Sequence, residues 1–162
     1  MVGIIEKGKF LEESNRIEGE YWEHLPKKAI DYALAQRAMT PFHIVRIHEL
    51  HEEGFTLFHG GRSPIKFGEW RDHDVCVGSW VAPPYKKIGK LMTDYCMDWN
   101  KMDAWEAHCR FEAIHPFPDL NGRVGRLLWL IKAVQEGYDG SIPFLQKFYY
   151  QTLNKYESNK AR

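Results

Sequence analysis

The chain has 162 residues, with 22 lysines and arginines against 22 aspartates and glutamates, so its formal charge is zero. This length predicts one domain, whose core is large enough to fold without disulfides or a structural metal. The zero balance argues against nucleic acid or an anionic membrane as the main partner, because both bind strongly basic surfaces, but it leaves room for a local anion site.

We expect no targeting signal in the first residues. Met1 to Phe10 alternate apolar and charged residues and lack the apolar region of a signal peptide. No stretch approaches 18 apolar residues, so no membrane span is predicted. The 3 cysteines form no Cys-x-x-Cys pair, which is typical of a reducing compartment. We therefore expect a cytoplasmic protein.

Helical periodicity dominates the first half of the chain. Residues 26–58 carry apolar positions at steps of three and four, and Pro41 divides this stretch into two helical runs. Between 60 and 84, frequent glycines and prolines surround the short β-prone run Val75-Cys76-Val77. We predict a loop there that carries a small β-hairpin, too short to found a sheet.

The second half of the chain returns to helical periodicity after Pro84. Two apolar stripes lead up to Ile114, a further buried helix starts near Val124, and a last helix is predicted over 144–156. The sequence therefore predicts a mainly α fold, a single domain over residues 1–162 with one inserted β-hairpin.

The segment 115–126 has the sequence His-Pro-Phe-Pro-Asp-Leu-Asn-Gly-Arg-Val-Gly-Arg. Its two prolines forbid a continuous helix, and Asn-Gly opens the next one. Arg123 and Arg126 fall in the first turns of that helix, where two cations oppose the helix dipole. The arrangement is favourable when a polyanion binds at this helix end, because phosphates satisfy both the backbone N–H groups and the guanidinium forks.

Two further side chains complete a candidate reaction centre. Asp119 lies beside the anion site and could hold Mg²⁺, which usually takes one or two carboxylates together with substrate phosphates. His115, at the end of the preceding helix, could act as a general base. Alone, a histidine at a helix end is more often a helix cap than a base, and an aspartate before Asn-Gly could simply be a residue that favours turns. Together with the arginines they indicate phosphoryl or nucleotidyl transfer to a protein hydroxyl.

This run resembles the signature of Fic-domain proteins, His-Pro-Phe-x-(Asp/Glu)-(Gly/Ala)-Asn-(Gly/Lys)-Arg-x-x-Arg. Each fixed position matches except Leu120, where Gly or Ala is usual, and we expect this departure to narrow the anion cradle or slow the reaction. The resemblance implies a Fic-like helical core over 41–156, with the motif at 115–126. The stretch at about 66–84, which contains Gly68-Glu69-Trp70-Arg71, resembles the family's flap, a hairpin that docks the target's strand.

Fic enzymes typically transfer AMP from ATP to a Ser, Thr or Tyr hydroxyl of a protein, with Mg²⁺. The resemblance implies that His115 deprotonates the target hydroxyl, that Asp119 holds the metal and that Phe117 anchors the loop in the core. It implies nucleotide binding by Asn121, Gly122, Arg123, Gly125 and Arg126, the last at the γ-phosphate. It implies target docking by Val75, Cys76, Val77 and Gly78. Gly122 favours nucleotidyl transfer, since the branch with Lys there resembles a kinase.

A second family pattern precedes the motif. Ser14 to Gly19 match (Ser/Thr)-x-x-x-Glu-(Gly/Asn), which resembles the N-terminal inhibitory helix of one subclass, expected here at 10–24. In that subclass Glu18 would pair with Arg126 and occupy the fork that the γ-phosphate needs. ATP could still bind, but with its α-phosphorus misaligned for in-line attack.

Several alternatives stay open at this point. In some relatives the same glutamate orients water, so a de-AMPylase using Glu18 is one alternative. A non-catalytic nucleotide-binding or partner-binding module is another, favoured only by Leu120, and UMP transfer is a third. The bland interpretation makes Glu18 a solvated helix residue and Ser14 an N-cap. Modification of the chain itself and a homodimer are also left open.

Three histidines of the second helical run, His43, His48 and His51, invite the idea of a metal site. Their spacings are five and three residues. We predict instead that they form a polar helix face, which is the commoner role of such histidines.

Overall fold

The computed structural model describes residues 6–137, and every structural statement below concerns this part of the chain. Its helices are α1 (Lys7–Ile17), α2 (Lys27–Leu34), α3 (Pro41–Glu49), α4 (Glu52–Phe58), α5 (Ile88–Met97), α6 (Ala104–Ile114) and α7 (Asn121–Gln135). Short 3₁₀ turns cover Tyr85–Lys87 and Trp99–Lys101, and the strands are β1 (Cys76–Val77) and β2 (Trp80–Val81).

Helix α7 lies at the centre of the core. It is buried on almost every side, and its apolar residues pack with those of α2, α3, α5 and α6 in one hydrophobic cluster. Its closest neighbour is α6, because Gly125 lets the two helices approach. A Cβ at Gly125 would lie 2.4 Å from Glu112 Oε1 and 3.0 Å from His108 Nδ1. The motif helix is thereby held rigidly on the α6 scaffold.

Two capping side chains fix where the helices around the site begin. Thr40 accepts a hydrogen bond from the His43 N–H (3.3 Å) at the start of α3, and Pro41 occupies the first helical turn. Asp103 accepts one from the Glu106 N–H (2.7 Å) at the start of α6. In contrast, α7 begins at Asn121 with no side-chain hydrogen bond from its N-cap residue.

The predicted mainly α fold with one inserted hairpin is confirmed. The strands pair antiparallel, with Cys76 opposite Val81 and Val77 opposite Trp80, and Gly78 takes the positive φ (61°) that the tight turn requires. None of the helices described between residues 6 and 137 has the length and apolar character needed to cross a membrane.

Some boundaries differ from the prediction. The run after Pro41 forms two helices, α3 and α4, rather than one. The N-terminal helix, expected at 10–24, begins at Lys7 and ends at Ile17, because Gly19 then turns the chain with φ at 74°. The last predicted helix, over 144–156, lies outside the described residues.

Candidate active site

The loop between α6 and α7 is held in a strained conformation at both ends. His115, directly after α6, and Leu120, directly before α7, have φ values of 50° and 66°, in the left-handed region that side chains rarely adopt. The side chain of Asn121 holds the loop between them: its Oδ1 accepts from the Phe117 N–H (2.9 Å) and its Nδ2 donates to the Phe117 carbonyl (2.8 Å). The surrounding contacts therefore fix the backbone of the motif.

Phe117 anchors this loop in the core. Its ring is fully buried and stacks on the imidazole of His48, with the ring centroids 3.9 Å apart and the planes at 3°. The two ring nitrogens of His48 also form hydrogen bonds, one to the loop backbone and one to the segment before the hairpin. Its Nδ1 accepts from the Gly68 N–H (3.0 Å), which leaves Nε2 to donate to the Asp119 carbonyl (3.2 Å).

The prediction of a polar helix face is therefore wrong for His48 and His51. Both imidazoles are buried. His48, on α3, packs against Phe117 of the motif loop, whereas His51, directly before α4, donates from Nδ1 to the Ile47 carbonyl (2.8 Å). Burial lowers the pKa of His48 to about 4 and that of His51 to about 3, so both rings are neutral at pH 7.

Leu120 departs from the family signature at a place where the backbone geometry explains the usual Gly or Ala. Its left-handed φ is strained for a branched side chain, at a cost of roughly 1–3 kcal/mol. The side chain is buried in a small hydrophobic cluster with Trp22 and Phe55. Burial in this cluster offsets the strain.

His115 presents a neutral imidazole. Its side chain is 22% exposed, and its Nδ1 lies 4.0 Å from Glu112 Oε2. Burial, with the Arg71 charge as a smaller cause, lowers the pKa of His115 to about 4. A neutral imidazole is the form that accepts a proton.

Asp119 is exposed on the same loop. Its Oδ1 accepts from the Leu120 N–H (2.6 Å). Among residues 6–137 no group of three or more His, Cys, Asp or Glu side chains comes together as an all-protein metal cage. A single accessible carboxylate fits Mg²⁺, which is commonly held by one carboxylate and the substrate's own phosphates.

The guanidinium of Arg126 is fully buried and bound by the N-terminal segment, which comprises α1 and the chain that follows it up to residue 25. Its Nε donates to Ser14 Oγ (2.7 Å), and its Nη2 donates to the Ser14 carbonyl (2.8 Å) and to Glu18 Oε1 (2.8 Å). The side chain of Glu18 itself is 29% exposed. Charge-assisted bonds of this kind are about twice as strong as neutral ones.

The N-terminal segment also binds Arg123, a contact that the sequence analysis did not predict. Arg123 Nε donates to Asn15 Oδ1 (2.8 Å) and Nη2 donates to Glu20 Oε2 (2.5 Å). The guanidinium lies 4.7 Å from the Trp22 ring centroid, and Trp22 Nε1 donates to the same Glu20 oxygen (2.7 Å). Gly19 turns the chain between the two glutamates, so that each reaches a different arginine.

The two glycines of the motif face different neighbours. A Cβ at Gly122 would lie 2.5 Å from Glu18 Oε1 and 2.9 Å from Arg126 Nη1, so Gly122 faces the contact between the N-terminal segment and the motif. Gly125 faces Glu112 and α6 instead. Gly125 therefore serves the packing of α7 on α6, and its part in nucleotide binding stays a prediction. The side chain of Asn121 is likewise used to hold the loop. Only the backbone N–H of Asn121, at the start of α7, is then left for the nucleotide binding predicted for this residue.

The hairpin residues predicted to dock a target lie at the surface. Cys76, Val77 and Gly78 are exposed and Val75 is half-buried. The base of the hairpin is closed by the Ala82 N–H, which donates to the Val75 carbonyl (3.1 Å). The hairpin therefore offers an accessible strand edge close in sequence to Arg71, whose backbone N–H donates to the Pro116 carbonyl of the motif loop (2.9 Å).

Comparison with known proteins identifies the family to which this chain is similar. The family model described as Fic/DOC family matches residues 38–131. A curated relative, "Protein adenylyltransferase Fic" of Drosophila willistoni, is 33% identical over 141 residues, which cover 81% of this chain and 26% of that protein. The protein of the same name in Drosophila melanogaster is 32% identical over 140 residues, which cover 81% of this chain and 27% of that protein. The chain thus spans about a quarter of the length of these relatives.

Solved structures show the same fold. A Fic family protein from Desulfovibrio desulfuricans G20 superposes with a TM-score of 0.68 at 22% identity, covering 94% of this chain and 57% of that one. Fic-1 from C. elegans superposes with a TM-score of 0.67 at 17% identity, covering 95% and 57%.

Proposed function

The chain belongs to the Fic/DOC family, and from this premise we propose that it is an autoinhibited protein adenylyltransferase. It transfers AMP from ATP to a Ser, Thr or Tyr hydroxyl of a protein target. The observation that carries the proposal is the contact of Glu18 with Arg126, at 2.8 Å, beside a motif whose base, carboxylate and arginines converge on one helix start.

In the proposed reaction the target hydroxyl oxygen attacks the α-phosphorus of ATP, the bond to the β-phosphate oxygen breaks, and pyrophosphate leaves. His115 takes the hydroxyl proton. Its pKa of about 4 keeps it neutral but makes it a weak base. Phosphates bound at Arg123 and Arg126 would add negative charge near the His115 imidazole. This charge favours the protonated ring and therefore raises the pKa of His115, which makes it a stronger base.

The start of α7 supports binding of the phosphates. The N-cap residue Leu120 has no side-chain oxygen that could accept from the first turn of α7. The backbone N–H groups of that turn are therefore available to an anion. Asp119 would hold Mg²⁺, which neutralises phosphate charge when bound. The exposed edge of the hairpin, at Cys76 and Val77, would take an extended segment of the target by strand addition.

The N-terminal segment opposes this binding. Glu18 occupies the donor of Arg126 that the γ-phosphate would use, and its charge repels the phosphate. A nucleotide then binds without the orientation that in-line attack requires. Inhibition and catalysis thus compete for the same guanidinium.

The test uses ATP labelled at either the α- or the γ-phosphate, with lysate protein as acceptor. We expect Glu18→Gly to raise incorporation of α-label by about tenfold or more over the natural chain, because the γ-phosphate gains Arg126. Glu23→Gly, at an exposed residue of the same segment, is the matched control and leaves incorporation unchanged. Incorporation of γ-label instead would indicate a kinase and reject the proposal, and loss of α-label from modified protein that requires Glu18 would indicate a de-AMPylase.

A second carboxylate contributes to the same inhibition. Glu20 is bound to Arg123 as Glu18 is to Arg126, so the segment withholds both arginines of the motif. In the Glu18→Gly variant, we expect Glu20→Gln to lower the KM for ATP roughly threefold to tenfold, since glutamine keeps the shape but loses the charge. Initial rates over a range of ATP concentrations measure the effect. Glu23→Gln serves as control, and an unchanged KM would show that Glu20 does not restrain Arg123.

A further inference from the structure

Arg71 is a buried cation whose ion pair with the exposed carboxylate of Asp74 is long. Its side chain has no exposed surface, and the Asp74 carboxylate is 3.9 Å away. Burying an arginine in this way is unfavourable unless other groups satisfy its donors. Here backbone carbonyls do so, and their positions in the chain indicate what the residue does.

The carbonyls belong to two separate parts of the proposed site. On one side, Nε donates to the carbonyl of His115 (2.8 Å) and Nη2 approaches that of Ile114 (3.5 Å), at the end of α6. On the other side, Nη1 donates to the carbonyl of His73 (2.8 Å) and Nη2 to that of Pro83 (2.5 Å). His73 and Pro83 flank the hairpin on its two sides.

We propose that Arg71 is a positioning residue, which fixes the hairpin relative to the catalytic base. The inference rests on the proposed function, because it takes His115 as the base and the hairpin as the surface that docks the target. One planar guanidinium holds the backbone of His115 in its left-handed conformation and both ends of the hairpin at once.

The chemistry requires such a link. A target segment paired with the hairpin presents its hydroxyl at a place set by the hairpin, whereas the imidazole that accepts the proton is set by the end of α6. A misplacement of about 1 Å between the two can lower the rate about 10²-fold. Lysine cannot replace the arginine, because a single ammonium lacks the fork that reaches carbonyls in different directions.

The first test is Arg71→Lys in the Glu18→Gly variant, with Arg110→Lys as the matched control. Arg110, on α6, pairs with Asp98 (2.9 Å) and is distant in sequence from the hairpin. We expect Arg71→Lys to lower kcat for α-label transfer to lysate protein by about 10²-fold with the KM for ATP unchanged. The control changes neither constant. Transfer at the parent rate would overturn the proposal.

A second measurement does not depend on activity. Amide hydrogen exchange at Ala82, whose N–H closes the base of the hairpin, should accelerate at least about tenfold in Arg71→Lys while exchange at Val124 in α7 stays unchanged. Equal protection of Ala82 in both proteins would overturn the inference even if the parent transfers no AMP. Should a buried ammonium prevent folding, Arg71→Gln introduces no charge and is expected to give the same loss of protection.

Discussion

Replacing His115 by alanine in the Glu18→Gly variant is expected to lower the rate of AMP transfer by about 10²- to 10⁴-fold, the usual contribution of a positioned general base. The affinity for ATP should change little, because the proposed function has the phosphates bound by the start of α7 and by Arg123 and Arg126 rather than by the imidazole. Initial rates with α-labelled ATP, together with calorimetric titration of ATP, measure both quantities.

The control for this experiment is His24→Ala. His24 is exposed on the segment between α1 and α2 and contacts none of the motif residues through a hydrogen bond described for residues 6–137. Its replacement should leave the rate within about twofold. A His115→Ala variant that retains most of the parent's transfer rate would show that another group accepts the proton, or that none is needed.

Acid is expected to destabilise the fold strongly, through four histidines whose pKa is lowered by full or partial burial. Burial lowers the pKa to about 4 for His48 and His115 and to about 3 for His51 and His108, against 6.5 in an unfolded chain. Below pH 6.5 the unfolded state therefore binds protons that the folded state excludes. The stability is fully present above pH 6.5 and is lost as the pH falls from there towards 4.

The size of this effect follows from proton linkage. At pH 5.5 each such histidine lowers the free energy of unfolding by slightly more than about 1 kcal/mol relative to neutral pH, so the four together remove roughly 5 kcal/mol. Since whole domains are stable by only about 5–15 kcal/mol, we expect acid unfolding near pH 5.

Urea denaturation at pH 7.5 and pH 5.5 tests this prediction. His51→Asn can keep the hydrogen bond to the Ile47 carbonyl and should reduce the loss of stability between the two pH values by one histidine's share. His24→Asn, at an exposed position, should leave the loss as it is in the natural chain. Equal stability at both pH values would mean that the buried rings titrate normally.

The fold and the ends of the motif helices were largely predictable, because local chemistry determines them. Two prolines after His115 end α6, and Asn121-Gly122 opens α7 where the sequence predicts it. The contact of Glu18 with Arg126 is also present where the second family pattern leads us to expect it. Its inhibitory role is part of the proposed function.

The remaining parts of the site depend on contacts between distant residues, which leave little local signal. Arg71 is bound mainly by backbone carbonyls, which every residue carries, so no partner could be identified from side-chain types. His48 sits on a helix that looks polar in sequence, yet Phe117 covers it from a loop far along the chain. The one available signal was the second acid of Glu18-Gly19-Glu20, which a left-handed glycine directs to Arg123.

The most direct test of the central claim is a crystal structure of the Glu18→Gly variant with ATP and Mg²⁺. The account predicts that γ-phosphate oxygens take the place of the Glu18 carboxylate on Arg126, that Arg123 exchanges Glu20 for phosphate oxygens, and that the α-phosphate faces His115. A nucleotide bound in the reverse direction, with its γ-phosphate facing His115, or one bound away from residues 115–126, would contradict it.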